Sequence, residues 1–150
     1  MNDLSNAPFA PSSAIHRADY RPPEWLVPQI ALDFALSLDA TRVLSVLKVR
    51  KNPAGKGSSL LHLNGEGIAA KAISVDGVPH AAWRMIGEDL VIELSGDAHD
   101  VAIETVINPA ANTQLSGLYT SNGLFCTQCE AEGFRRITFF PDRPDVLSVY

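Results

Sequence analysis

The sequence predicts an all-β domain, a sandwich or a barrel. Three observations carry that reading. Short apolar runs recur at roughly ten-residue spacing, broken by Gly and Asp, which is the rhythm of packed antiparallel strands. An Asp76-Gly77 pair separates two such runs, and a tight hairpin needs the positive φ that these residues tolerate. No long stretch repeats its apolar residues with the 3.6-residue period of a helix.

The elements follow in order. Residues 1–18 read as an extended, flexible tail, and 19–150 as one domain. Pro8, Pro11, Pro22, Pro23 and Pro28 forbid regular helix or central strand in the lead-in. Its second half is expected to pack through Tyr20, Trp25 and Leu26. Ile30, Leu32, Phe34, Leu36 and Leu38 then alternate with smaller or more polar residues, which favours a strand over the helix that Ala and Leu content alone would support. Asp39-Ala40 turns the chain into a second strand, Arg42 to Arg50. "NPAGKGSS" is a loop by composition. Further strands are expected over Leu60 to Leu63, Ile68 to Val75, Val78 to Met85, Leu90 to Leu94 and Val101 to Ile107. The final "DVLSVY" is apolar and strand-like, so the domain is expected to be interrupted within a strand.

Bulk properties narrow the function classes. A chain of 150 residues suits one domain, and that size buries roughly two thirds of its unfolded surface without staples. The formal charge of −5 argues against nucleic acid as a partner, because no basic stripe is present to neutralise phosphates. Lys48, Arg50 and Lys51 are read as a solvated strand end. No run approaches about 18 apolar residues, so no membrane span is expected. The N-terminus has Asp3 and lacks the basic start and apolar stretch of a signal peptide, and a cytoplasmic location is the expectation.

Chemistry concentrates in "LFCTQCEAEGF". Cys126 and Cys129 could give two thiolates to zinc, but a structural site needs four ligands. His16, His62, His80 and His99 are scattered, and there is no second C-x-x-C. A redox pair would want cations nearby to lower the thiol pKa, whereas Glu130 and Glu132 follow directly. Packing is the favoured reading of the cysteines. Glu130 and Glu132 would share a face if the chain were extended there, either as solvated acids, as partners of Arg135 or Arg136, or as a binding site for a cation such as an ammonium group. No nucleophile motif, phosphate loop, dinucleotide fingerprint or H-E-x-x-H is present.

The run "NPAANTQLSGLYTSNGLFCTQCEAEGFRRITFFPDRPDVL", with "ADYRPPEWLVPQIALDFALSLDATRVLSVLKV" and "LHLNGEGI" before it, resembles the bacterial aminopeptidase N family of gluzincin zinc metallopeptidases. The likeness runs in order from about Asp19 to Tyr150. It implies an N-terminal β-sandwich domain, cut before its last strands and before a thermolysin-like catalytic domain. It implies zinc in the full-length enzyme, on an H-E-x-x-H motif and a downstream Glu that these residues lack, and no metal bound here. The family's T-Q-x-E motif matches Thr127, Gln128, Cys129 and Glu130. By that resemblance Glu130 binds the free α-amino group of a peptide substrate, and Gln128 lines the pocket and helps hold the amine. Arg135 and Arg136 would support the loop through an ion pair, and the chain alone would be inactive.

The rival reading is a stand-alone β-sandwich that binds a partner without catalysis. Sheet edges left unpaired by missing strands would also favour self-association. Sedimentation of the isolated chain tests that last expectation, and a strict monomer at high concentration rejects it.

Overall fold

The computed structural model describes residues 17–150. The expected tail over 1–18 lies almost wholly outside those residues; Arg17–Asp19 form a short 3-10 turn. The described chain is an all-β sandwich. One sheet has five strands in the order β1-β2-β8-β4-β5, the other three in the order β3-β7-β6, and a separate hairpin pairs β9 with β10. All strand pairings within these sheets are antiparallel.

The long strands β1 (Trp25–Ala35) and β2 (Thr41–Lys51) open the first sheet. β1 starts earlier than the alternation predicts and contains Pro28. This is tolerated because β1 is an edge strand and its register shifts between Leu26 and Gln29. The alternating burial expected through Leu38 stops early: Ile30 is buried, Phe34 is partly exposed, and Leu36 and Leu38 lie exposed in the turn to β2. Of the three residues expected to pack the lead-in, Trp25 is buried and Leu26 half-buried, but Tyr20 is exposed and donates to Asp145 Oδ2 at 2.9 Å. Arg143 holds both oxygens of Asp145 and also reaches Arg21 O, so the lead-in is tied to "DRPD" by charge rather than apolar contact.

β3 (Leu60–Leu63), β4 (Ala70–Val75), β7 (Asp89–Glu93) and β8 (Ala98–Ile107) fall close to the expected runs. The Asp76-Gly77 hairpin forms with φ of 53° and 78° at its two positions. The single strand expected over Val78 to Met85 does not form. It splits into β5 (Val78–Pro79) and β6 (Trp83–Ile86), which belong to different sheets. His80–Ala82 carry the chain across the sandwich. The terminal "DVLSVY" is not a strand either. Val149 makes one parallel bridge to the edge of β1, with Ile30 N donating to Val149 O at 2.9 Å and Val149 N to Pro28 O at 3.0 Å.

The sheets share one apolar core containing Trp25, Ile30, Leu47, Leu63, Leu90, Ile92, Ile103 and Phe139. A smaller cluster, Val43, Ile107, Leu118 and Ile137, sits under the β9–β10 hairpin. Residues Ile137–Phe140 thread between these cores without forming a regular element other than one bridge, Asn64 with Phe140. Their polar groups are met by buried hydroxyls: Ser45 Oγ and Thr138 Oγ1 are 2.9 Å apart, and Thr105 Oγ1 donates to Ile137 O at 3.1 Å. Buried polar groups left unpaired cost about 1–3 kcal/mol each, so this belt determines where the segment can sit.

Phe139 is fully buried and its ring lies directly over Gly65. A Cβ on Gly65 would fall 2.3 Å from Phe139 Cε1 and 2.8 Å from Glu88 O. Overpacking of this kind costs about 1–3 kcal/mol. Gly65→Ala is therefore expected to lower the melting temperature by several degrees, on the order of 2–4 °C per kcal/mol for a chain of this length. An unchanged thermal unfolding midpoint would show that Phe139 can move aside freely.

Candidate functional site

The segment holding Gln128 and Glu130 is built on a hairpin that the strand reading above does not include. β9 (Gly117–Ser121) and β10 (Leu124–Gln128) pair in register around Asn122-Gly123, whose φ values are 51° and 79°. Asn-Gly is itself a strong hairpin signal, so this element was available to sequence reasoning. The short, mixed polar strands beside it masked the pattern.

Thr127 and Gln128 end β10, and the chain then turns through Glu130–Gly133. Gly133 N donates to Cys129 O at 2.9 Å and closes the turn. Gly133 packs so tightly that a Cβ would lie 2.3 Å from Gln128 O and 2.9 Å from Cys129 Cα. Only glycine lets the chain return this close to the strand it has just left. The Gln128 side chain is held too: its Nε2 donates to Glu130 O at 2.9 Å, which leaves Oε1 as an acceptor.

The chain turns at Glu130 and Glu132 instead of running extended, so the premise of the shared-face expectation fails. Glu132 has φ of 65° and its carboxylate reaches Arg135 Nη2 at 3.2 Å. Arg135 also donates through Nε to Asp142 Oδ2 at 3.1 Å and through Nη2 to Asp142 O at 2.8 Å. Arg136 pairs with Glu66. Both arginines are thus occupied by acids other than Glu130. Among the described residues, the exposed Glu130 carboxylate has no ion-pair partner. A carboxylate that is fixed by its backbone yet not neutralised by its own protein can bind a cation.

The supports come from far away in sequence. Glu66 lies 70 residues before Arg136, and Asn64 Oδ1 accepts from Asp142 N at 3.2 Å across 78 residues. No local pattern announces such partners, and the sequence reading missed Glu66, Asn64 and the role of Asp142. Two clefts of the domain lie away from this loop. One of about 410 Å³ is lined by Glu66, Asn112, Gln114 and Arg136, and one of about 290 Å³ by Arg21, Trp25, His62 and Arg143. Neither includes Gln128 or Glu130.

Cys126 and Cys129 are unbonded and half-buried. Cys129 packs against the smaller apolar cluster. Burial raises its thiol above the ordinary range and Asp142 adds to the shift. This is the opposite of what a reactive or metal-binding thiolate requires. Zinc asks for three or four converging ligands, and no group of three His, Cys, Asp or Glu side chains converges among the described residues. His62 lies on β3, His80 between β5 and β6, and His99 on β8 beside Asp76, while His16 falls outside the described residues. The described residues therefore do not fit zinc.

Three relatives align over nearly the whole chain. Aminopeptidase N of Caulobacter vibrioides is 48% identical over 139 residues, 91% of this chain and 16% of the relative. Aminopeptidase N of Haemophilus influenzae is 39% identical over 93% of the chain, and that of Escherichia coli 41% over 90%. The chain thus spans about one sixth of the length of the curated relatives it matches, 15–16% in each case. No family model matches. Among solved structures, Legionella pneumophila aminopeptidase A superposes with a TM-score of 0.80 at 23% identity, over 87% of this chain and 16% of that one. An M1 zinc metallopeptidase of Deinococcus radiodurans superposes with a TM-score of 0.69 at 16% identity, over 85% and 31%. These likenesses establish the sandwich as a fold shared with those enzymes.

The raised Cys129 thiol gives a direct test. Its alkylation in the folded chain is expected to accelerate only at higher pH than in the same chain unfolded in denaturant, because the reactive thiolate forms later. Equal pH profiles would reject the upward shift of the thiol.

Proposed function

We propose that this chain is the N-terminal domain of a zinc-dependent aminopeptidase, and that its Thr127–Glu130 loop anchors the free α-amino group of a peptide substrate. The sequence likeness to aminopeptidases N supports the first part. The observation that carries the second is the Glu130 carboxylate itself, exposed at the end of a hairpin while Arg135 and Arg136 are held by Glu132, Asp142 and Glu66.

The chemistry assigned to these residues is recognition. An enzyme that removes first residues must recognise a chain end, and the ammonium is what distinguishes it. Glu130 rewards that charge, while a blocked or internal amide cannot repay the desolvation of the carboxylate. Gln128 Oε1, freed by the inward hydrogen bond of its Nε2, offers a second acceptor. Anchoring the amine sets the register, so that only the first peptide bond lies at the hydrolytic centre. That centre and its zinc would lie in residues beyond this chain, where the metal would polarise the carbonyl and activate water. The isolated chain is accordingly expected to have no peptidase activity.

Two measurements test the proposal. The reading frame after Tyr150 is expected to continue into an H-E-x-x-H; a stop codon there would leave a binding module instead. In the full-length enzyme, Glu130→Ala is expected to lower kcat/KM for free-amine peptides by about tenfold or more, since lost transition-state binding appears in that ratio. A change within about twofold would end the anchoring role.

A further inference from the structure

We infer that Asp142 is a positioning residue for the Thr127–Glu130 loop: it occupies Arg135 and thereby keeps the Glu130 carboxylate available to a cation. The inference rests on the amine-anchoring reading and extends it to a residue outside the motif.

Asp142 meets Arg135 at three points. Its Oδ2 accepts from Arg135 N at 3.2 Å and from Arg135 Nε at 3.1 Å, and its backbone O accepts from Arg135 Nη2 at 2.8 Å. Both side chains are only 18% exposed. Glu132, the other acid on Arg135, is 68% exposed. Exposed pairs contribute little, whereas charge-assisted, partly buried contacts are roughly twice as strong as neutral ones. Asp142 is therefore the main hold on Arg135, and Glu132 is the arm through which Arg135 reaches the loop. Asp142 is itself fixed, because its N–H donates to Asn64 Oδ1 on the segment that pairs with Phe140. Its carboxylate is near enough to the loop for its charge to add to the upward shift that burial gives the Cys129 thiol.

Removing the Asp142 charge leaves a half-buried guanidinium short of a carboxylate. The nearest acids in sequence on the loop are Glu132 and Glu130. Either response, pulling the turn through Glu132 or recruiting Glu130, degrades the amine site without touching the reacting bond.

The test uses the full-length enzyme. Asp142→Asn is expected to raise KM for free-amine peptides about tenfold with kcat within about twofold, as expected when a binding interaction common to ground and transition states is lost. The inhibition constant of a des-amino peptide, which lacks the group that Glu130 would hold, is expected to stay unchanged. The Asp142→Asn/Glu130→Gln pair should be no worse than Glu130→Gln alone, the non-additivity of residues acting through one another. Arg135→Lys keeps the charge but not the planar fork, and it carries the same expectation should Asp142→Asn fold poorly. An unchanged KM, or an equal loss against the des-amino peptide, overturns the positioning role and leaves Asp142 a structural residue. A silent Glu130→Gln instead overturns the anchor, and the positioning role falls with it.

Discussion

The domain depends on a segment that belongs to neither sheet. Ile137–Phe140 is buried throughout and runs between the two apolar clusters, with Ile137 in one and Phe139 and Phe140 in the other. Burying a side chain such as Phe139 contributes about 1.5–3 kcal/mol, but only if the backbone that carries it is also satisfied. Asn64 meets Phe140 from both directions, at 2.8 and 3.2 Å, and the Thr105 hydroxyl meets Ile137 O at 3.1 Å. Gly65 makes the approach possible by presenting no side chain to the Phe139 ring. Sheet packing, hydroxyl belt and glycine thus specify one position for the segment.

That position is transmitted to the loop before it. Arg135 and Arg136 immediately precede the buried segment, so their backbones cannot drift. Each then reaches an acid set by a different part of the fold, Asp142 beyond the segment and Glu66 just after β3. Gly133 closes the turn against β10 on the other side. The Cys129–Gly133 turn is therefore held at both ends by groups whose own places are set by the core. A loop built this way lacks the conformational freedom that a surface turn usually keeps, which is the fixed geometry that the proposed amine anchor would need.

How much of this could be read in the sequence follows from the range of the interactions. β2, β3, β7 and β8 were legible because alternation and turn residues are local signals. The length of β1 was misjudged at both ends: Leu36 and Leu38 continue the alternation but lie in a turn, and Pro28 is admitted by an edge position and a register shift. The strand expected across Val78 to Met85 fails because apolar character alone does not say to which sheet a residue pairs. The resemblance singled out Gln128 and Glu130, and the residues alone also marked Glu130 as a candidate acid. What surrounds them was not legible, because Glu66, Asn64 and Asp142 are joined to the loop by contacts that only the fold creates.

The distribution of charge around the turn has a consequence for how the site can evolve. Glu66, Glu130, Glu132 and Asp142 stand on or pair with the stretch that carries Arg135 and Arg136, while the neighbouring Arg143 is taken by Asp145. Were the arginines free to choose, the exposed Glu130 would be as available a partner as Glu132. The fold removes that choice by fixing Arg136 toward Glu66 and Arg135 toward Asp142. Glu130 is then the one carboxylate of the four without a cation. Under the amine-anchoring proposal, that unpaired charge is what an incoming ammonium would neutralise. Because the Glu130 side chain takes no part in the ion pairs that hold the turn, replacing it would, on that proposal, change binding rather than stability.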